Sequence, residues 1–172
     1  HFPHTLLLYA LESTDARIEE GLPVTPAFLY AAILWEPVRR EAKLFSRKRM
    51  PALQAIQLAG EAVVSRQVKR VGLPKRFSLQ SREIWEWQER LVTGRGGRAF
   101  HLLEQKRFRA AYDFLLLSEE SGEEVVELAD WWSDFQDADE EVRLSMIRAF
   151  SKQQGQGKKR RRPRQKQPTQ PK

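Results

Sequence analysis

Residues 25–35 read Thr25-Pro26-Ala27-Phe28-Leu29-Tyr30-Ala31-Ala32-Ile33-Leu34-Trp35. Threonine is a residue type that caps helices, and proline suits the first helical position, where its missing N–H group costs nothing. The residues that follow are apolar on every side, which is typical of a helix in the centre of a core. The stretch therefore predicts a fold built around one buried helix, which Pro37 should kink or end.

The same helical periodicity continues on both sides of this stretch. Apolar residues at spacings of three and four predict a preceding helix, ended by Gly21, that contains Leu7, Leu8, Leu11 and Ile18. Further helices are predicted over 51–71, 79–92, 98–104, 108–117, 123–136 and 140–151, with a glycine-rich connection at 94–97. No alternating run is typical of a strand, so the predicted fold class is all-α.

Charge is divided unevenly along the chain. The net charge is +7, yet residues 152–172 hold nine Lys or Arg and no acid, so residues 1–151 sum to −2. Residues 66–109 hold twelve Lys or Arg against four Glu, whereas residues 118–141 hold eleven acids and no base. We interpret the acidic stretch as a solvated helix face; the alternative is that it docks the tail or the basic segment when nucleic acid is absent.

The C-terminal segment 152–172 contains no apolar residue to bury and is predicted to be a disordered tail. Dense mobile positive charge suits a polyanion, because each neutralised phosphate releases a counterion. Nucleic acid is the favoured partner, an anionic membrane the second, and a tail without a dedicated partner the third. The tail cations expected to bind nucleic acid are Lys158, Lys159, Arg160, Arg161, Arg162 and Arg164.

Several kinds of site are excluded by composition. The chain has no cysteine, which excludes disulfides and thiolate metal sites and fits a reducing cytosol. No apolar stretch reaches the ~20 residues of a membrane span. We interpret His101 and the pair Asp137 and Asp139 as structural or solvated groups, and predict no catalytic or metal-binding residue.

The first residues do not form a signal peptide, and we expect the chain to be the C-terminal piece of a longer protein.

Basic residues in the middle of the chain form a second candidate site. Lys106, Arg107 and Arg109 fall in the first turn of the predicted helix 108–117, where cations oppose the helix dipole but suit a bound phosphate. The alternative is that the arginines pair with the acidic helices, or that Arg109 pairs with Asp113 one turn later.

Cations next to tryptophans extend this site toward the predicted helix 79–92. Single-stranded nucleic acid binds proteins with its phosphates on cationic side chains and its bases stacked on aromatic rings. Because Ile84, Trp87 and Leu91 form one helical stripe, we assign Trp87 to the core and Trp85 to base stacking. The candidate residues outside the tail are Lys75, Arg76, Arg82, Trp85, Arg95, Arg98, Lys106, Arg107 and Arg109.

Several of these strings resemble the neck-and-body and arginine-rich C-terminal regions of bacterial poly(A) polymerases. The resemblance covers residues 23–35, 73–77 and 82–85, the pair Trp131-Trp132 followed by Phe135-Gln136, the tail, and Arg107-Phe108-Arg109-Ala110-Ala111-Tyr112-Asp113-Phe114-Leu115-Leu116. One departure is Glu104-Gln105-Lys106, where members of the family commonly carry His-Pro. The resemblance implies neck and body helices over 1–72, an arginine-rich helical region over 73–151 and a tail over 152–172.

Members of this family share a nucleotidyltransferase group with CCA-adding enzymes. They transfer AMP from ATP to RNA 3′ ends with metal-binding carboxylates of an N-terminal α/β head. This sequence lacks the Gly-Ser strand-and-turn of that head and has no Asp-x-Asp in a strand context, since Asp137 and Asp139 lie in an acidic stretch between predicted helices. The resemblance therefore implies a cytoplasmic, RNA-binding region with roles in polyadenylation of mRNA and other transcripts and in RNA decay. It assigns Mg²⁺ and ATP to the head and leaves this chain non-catalytic by itself. The alternatives are a CCA-adding enzyme, and a helical interaction module whose tail binds an acidic protein or a membrane.

Overall fold

The computed structural model describes residues 25–47, 49–71, 75–119 and 123–160, together with Glu12, Asp15, Ile18 and Glu19. Within the four continuous ranges the chain forms helices and no strand, which confirms the all-α class. The predicted helix that contains Leu7, Leu8 and Leu11 lies largely outside the described residues. The helices are α1 Pro26–Ser46, α2 Ala52–Val71, α3 Lys75–Thr93, α4 Ala99–Glu104, α5 Phe108–Leu117, α6 Glu123–Asp137 and α7 Glu140–Arg160.

α1 begins as predicted but does not end at the predicted place. Pro26 occupies its first turn after Thr25, whose backbone is extended and whose side chain makes no capping hydrogen bond. The helix then continues through Pro37 to Ser46, so the alternative in which Pro37 ends it is wrong, and the alternative in which Pro37 kinks it stays a prediction. The buried face extends beyond the proline to Val38 and Ala42, and this packing outweighs the single backbone hydrogen bond that a proline removes.

α3 is the helix that joins the two halves of the molecule. On one side it packs along α1: the Ser81 hydroxyl donates to the Ala27 carbonyl at 2.7 Å, and Trp85 Nε1 donates to the Ala31 carbonyl at 3.0 Å. Both bonds connect residues four apart on each helix, so α1 and α3 run in the same direction. On the other side, Gln88 Nε2 donates to the Ala111 carbonyl of α5 at 3.1 Å.

Two hydrophobic cores meet at α3. The first combines α1 and α2 with Ile84 and Trp85 of α3 and Phe114 of α5. The second combines Trp87 and Leu91 of α3 with α4, α5 and α6. Because α3 contributes to both, apolar contacts cross position 72, where the neck-and-body region is predicted to end.

α7 extends beyond the predicted start of the tail. The prediction places disorder from Lys152 onward, whereas the helix continues to Arg160. Lysine, glutamine and arginine are good helix formers, and they lengthen an existing helix without a new nucleation step. Lys158, Lys159 and Arg160 therefore belong to α7, and Arg161, Arg162 and Arg164 lie outside the described residues.

Candidate nucleic-acid interface

The start of α5 carries three of the predicted cations on its exposed side. Lys106 and Arg107 precede the helix, and Arg109 lies in its first turn. The opposite side is buried as the spacing predicts: Phe108, Ala111, Tyr112, Phe114 and Leu115 lie in the two cores. The amphipathic pattern of this short helix therefore fixes which way its basic residues face.

Arg107 forms a two-bond ion pair with Glu83 of α3. Its Nε lies 2.9 Å from Oε2 of Glu83, and its Nη2 lies 3.3 Å from Oε1. The side chains are 58% and 44% exposed, so the pair should contribute only about 0–1 kcal/mol to stability. The pairing uses one edge of the guanidinium group and leaves the Nη1 donors for another anion.

Arg109 pairs within its own helix, which confirms one of the two alternatives for this residue. Its Nε lies 3.0 Å from an oxygen of Asp113, and its side chain is 75% exposed. The acidic helix takes no part in either arginine's pairing: the ion pairs found among the described residues use no acid of α6. Its Glu124, Glu127, Asp130 and Asp134 are exposed.

Lys106 and three further predicted cations, Lys75, Arg76 and Arg98, are exposed at the surface. None of them lies within 4.0 Å of an acidic oxygen among the described side chains. The Arg76 guanidinium lies over the neighbouring Phe77 ring, 4.7 Å from its centroid. These charges remain available to an external anion.

Two predicted cations connect helices instead of facing solvent freely. Arg82 of α3 lies 4.0 Å from Glu61 of α2, and only 30% of its side chain is exposed. Arg95 lies over the ring of Phe150 of α7, 4.6 Å from its centroid. Burial lowers the pKa of the Arg95 guanidinium, and the nearby Glu127 carboxylate acts in the opposite direction. The contact joins the glycine-rich turn to the middle of α7.

The predicted stacking role of Trp85 is wrong. The side chain has no exposed surface, and its Nε1 donates to the Ala31 carbonyl inside the first core. The reason is that α3 packs against α1 on one side and α5 on the other, so its buried arc is wider than one stripe. Trp87, which is 5% exposed, belongs to the second core as predicted.

A cleft of about 210 Å³ lies next to Arg107, between the start of α1, the middle of α3 and the start of α5. We call it the α1–α3–α5 cleft. Its apolar lining is Ala27, Phe28, Ile84, Trp87 and Ala110, and its polar lining is Thr25, Gln80, Glu83 and Arg107. Thr25, Gln80 and Glu83 are absent from the predicted site. The feature of the sequence that could have indicated the two α3 residues is the helical spacing of Gln80, Glu83 and Trp87, which places them on one face of α3.

Potential metal-binding side chains do not cluster in the described part of the chain, which contains no group of three His, Asp or Glu side chains that could hold a metal ion. Asp139 instead caps α7, where its Oδ1 accepts a hydrogen bond from the Val142 N–H at 2.9 Å. His101 is exposed, with its Nε2 3.2 Å from Nε2 of Gln105. No helix in this part of the chain has the length and apolar character to cross a membrane.

Comparison with known proteins assigns the chain to a family. The sequence profile described as "Polymerase A arginine-rich C-terminus" matches residues 48–166. The chain belongs to this family. The match extends from the end of α1 into the tail and includes every candidate residue of the interface.

Individual relatives of the family agree with this assignment. Poly(A) polymerase I of Escherichia coli O157:H7 is 34% identical over 161 residues, which are 92% of this chain and 35% of the relative. Poly(A) polymerase I of Salmonella typhi is 32% identical over 95% of this chain and 36% of its own length. The protein of the same name from Haemophilus influenzae is 32% identical over 85% of this chain and 33% of its own length. The chain thus spans about a third of these relatives, and its resemblance to a C-terminal region of poly(A) polymerase is confirmed.

Proposed function

We propose that this chain is the RNA-binding C-terminal region of a bacterial poly(A) polymerase that adds AMP from ATP to RNA 3′ ends. The observation that carries the proposal is the exposure of the basic residues in a chain of this family. Of the eight charged candidates outside the tail, six are exposed, and Arg82 and Arg95 are the other two. Four of the six have no acidic partner among the described side chains, and Arg107 and Arg109 pair through only part of the guanidinium group, so all six keep donors for phosphate.

The start of α5 is the centre of this proposed RNA site. Lys106, Arg107 and Arg109 meet there with the positive end of the helix dipole, and no acid lies in the first turn to oppose them. Phosphates of the RNA backbone bind these side chains, while Lys75, Arg76 and Arg98 extend the contact. Adenylyl transfer, with Mg²⁺ and ATP, belongs to a head outside this sequence, and the role of this chain is to hold the RNA in the cytoplasm during polyadenylation and decay.

The test is a salt titration of RNA binding by the whole chain and by the double variant Arg107→Gln with Arg109→Gln. For the unmodified chain, log affinity should fall with log salt with a slope of about −0.7 per engaged phosphate. The double variant should bind roughly 1–3 kcal/mol more weakly because charge-assisted hydrogen bonds are lost. Its melting temperature should change little, because both ion pairs are exposed. A variant that melts several degrees lower and still binds RNA normally when folded would contradict the proposal.

A further inference from the structure

We propose that the α1–α3–α5 cleft binds one unpaired nucleobase of the RNA, while Arg107 at its rim binds the adjoining phosphate and Glu83 positions Arg107. The inference rests on the proposed function and names the part of the RNA that this site takes. It assigns a ligand to a cavity and a role to Glu83.

The size of the cleft sets the size of its occupant. Its volume of about 210 Å³ is below the roughly 300–1,000 Å³ of sites that enclose a drug-sized ligand. One ring system fits such a space, whereas a complete nucleoside triphosphate does not. The cleft is also open at the surface, so that a base of a bound strand can enter it.

The lining of the cleft matches the two kinds of surface on a base. Phe28, Ile84 and the nearly buried Trp87 supply apolar surface that suits the faces of a ring. Gln80 and Thr25 carry the amide and hydroxyl groups that can bond to the polar edge of a base. An apolar side chain of a protein partner would use neither of these polar groups.

Arg107 connects the cleft to the phosphate backbone. Arg107 lines the cleft, and its guanidinium group is held on one edge by Glu83, with contacts of 2.9 and 3.3 Å. A held arginine loses less side-chain entropy when it binds a phosphate than a free one does. Glu83 is therefore a positioning residue: it adds a negative charge near the RNA, yet should strengthen binding through Arg107.

The first experiment separates base from phosphate. The probes are a fluorescent ten-nucleotide oligoadenylate and a chain of ribose phosphates of the same length without bases. The unmodified chain should bind the oligoadenylate about ten-fold more tightly, which is the effect of one stacked base. Ala110→Leu, which fills the cleft from an exposed position, should remove this difference. The matched control Ala149→Leu, exposed on α7 and away from the cleft, should keep it. Equal affinity for both probes in the unmodified chain, or a difference that survives Ala110→Leu, would overturn the inference.

The second experiment tests the role of Glu83 by asking whether its removal strengthens or weakens the binding of oligoadenylate. Glu83→Ala and Glu86→Ala each remove one negative charge from α3, but only Glu83 contacts Arg107; Glu86 pairs with Arg90 at 3.8 Å. Electrostatics alone predicts that both variants bind oligoadenylate more tightly. Positioning predicts that Glu83→Ala binds several-fold more weakly while Glu86→Ala does not. Tighter binding by both variants would refute the role of Glu83.

The two levels of the proposal fail in different ways. If neither probe binds with a salt-dependent affinity, the proposed RNA-binding function fails and the cleft assignment fails with it. If both probes bind with the same affinity and the same salt slope, RNA binding stands and the cleft assignment alone is refuted. Binding of an aromatic peptide in place of the oligoadenylate would point to a protein partner and would also overturn the inference.

Discussion

Two buried indoles hold α3 between its neighbours. Trp85 Nε1 donates to the Ala31 carbonyl of α1, and Trp132 Nε1 of α6 donates to the Leu91 carbonyl of α3, both at 3.0 Å. Neither side chain has exposed surface. The burial of Trp85 was beyond prediction from the spacing of α3 alone, because it depends on α1, which lies more than fifty residues earlier in the chain.

Trp85→Phe should lower stability without changing RNA affinity. Phenylalanine removes the N–H donor and part of the buried ring, and together these losses should cost about 2 kcal/mol. The melting temperature should fall by about 4–8 °C, measured by circular dichroism. Trp132→Phe, which loses the equivalent bond in the second core, should show a loss of similar size. Weaker RNA binding by folded Trp85→Phe would mean that the indole contacts RNA after all.

A half-buried carboxyl on the same helix makes stability depend on pH. Burial raises the pKa of Glu89, so the folded state binds its proton more tightly than the unfolded state does. The ionised carboxylate therefore destabilises the fold above the raised pKa, and this destabilisation disappears as the pH falls below the ordinary value of 4.5. Glu89→Gln should accordingly melt about 1–2 °C higher at pH 7, and no higher near pH 4. The exposed Glu104→Gln is the control and should show a smaller change. An equal gain at both pH values would show that charge is not the cause.

At the scale of elements, the sequence predicts well the helices whose ends are marked by local chemistry. The helix predicted over 108–117 has those bounds in the structure. Its basic start and its apolar run are flanked by polar residues, which mark both ends. Prediction fails where the end of a helix is set by tertiary packing or by extension of a helix that already exists. α1 continues through Pro37 because its buried face continues, and α7 extends into the predicted tail.

Gly94 ends α3 at a place where a side chain has no room. A Cβ atom there would clash with the Leu102 side chain of α4 and lie 2.6 Å from the Arg90 carbonyl oxygen, which is backbone and cannot move aside. Gly94→Ala should therefore destabilise the fold by about 1–3 kcal/mol. Gly97→Ala, three residues later, meets no atom within 4 Å and should stay within about 0.5 kcal/mol of the unmodified chain. Urea denaturation of both variants measures the difference, and equal stability would refute the steric argument.

At the scale of the whole molecule, charge is easier to predict than shape. The exposed candidates Lys75, Arg98 and Lys106 were identifiable from composition and helix position, because a cation without a partner stays at the surface. The α1–α3–α5 cleft was not, because its walls come from helices far apart in the chain. The ion pair between Arg107 and Glu83 was also not predictable, because the two residues lie 24 positions apart in the chain.

Removal of residues 152–172 tests how the basic end of α7 and the folded body divide the work of binding. The deletion removes nine cations, so the salt slope of RNA binding should become shallower by about 0.7 for each cation that meets a phosphate. The melting temperature should stay the same, because the side chains of 152–155 are exposed and the cores end before them. The helical signal should decrease by the contribution of 152–160, which are helical.

A second variant keeps the length of this segment and replaces its nine lysines and arginines with glutamine. Glutamine supports a helix nearly as well as lysine does, so the helical signal should return while the salt slope stays shallow. This outcome would assign the contribution of the segment to charge. A slope that recovers with glutamine would instead assign it to the helix itself, and an unchanged slope after deletion would confine RNA binding to the folded body.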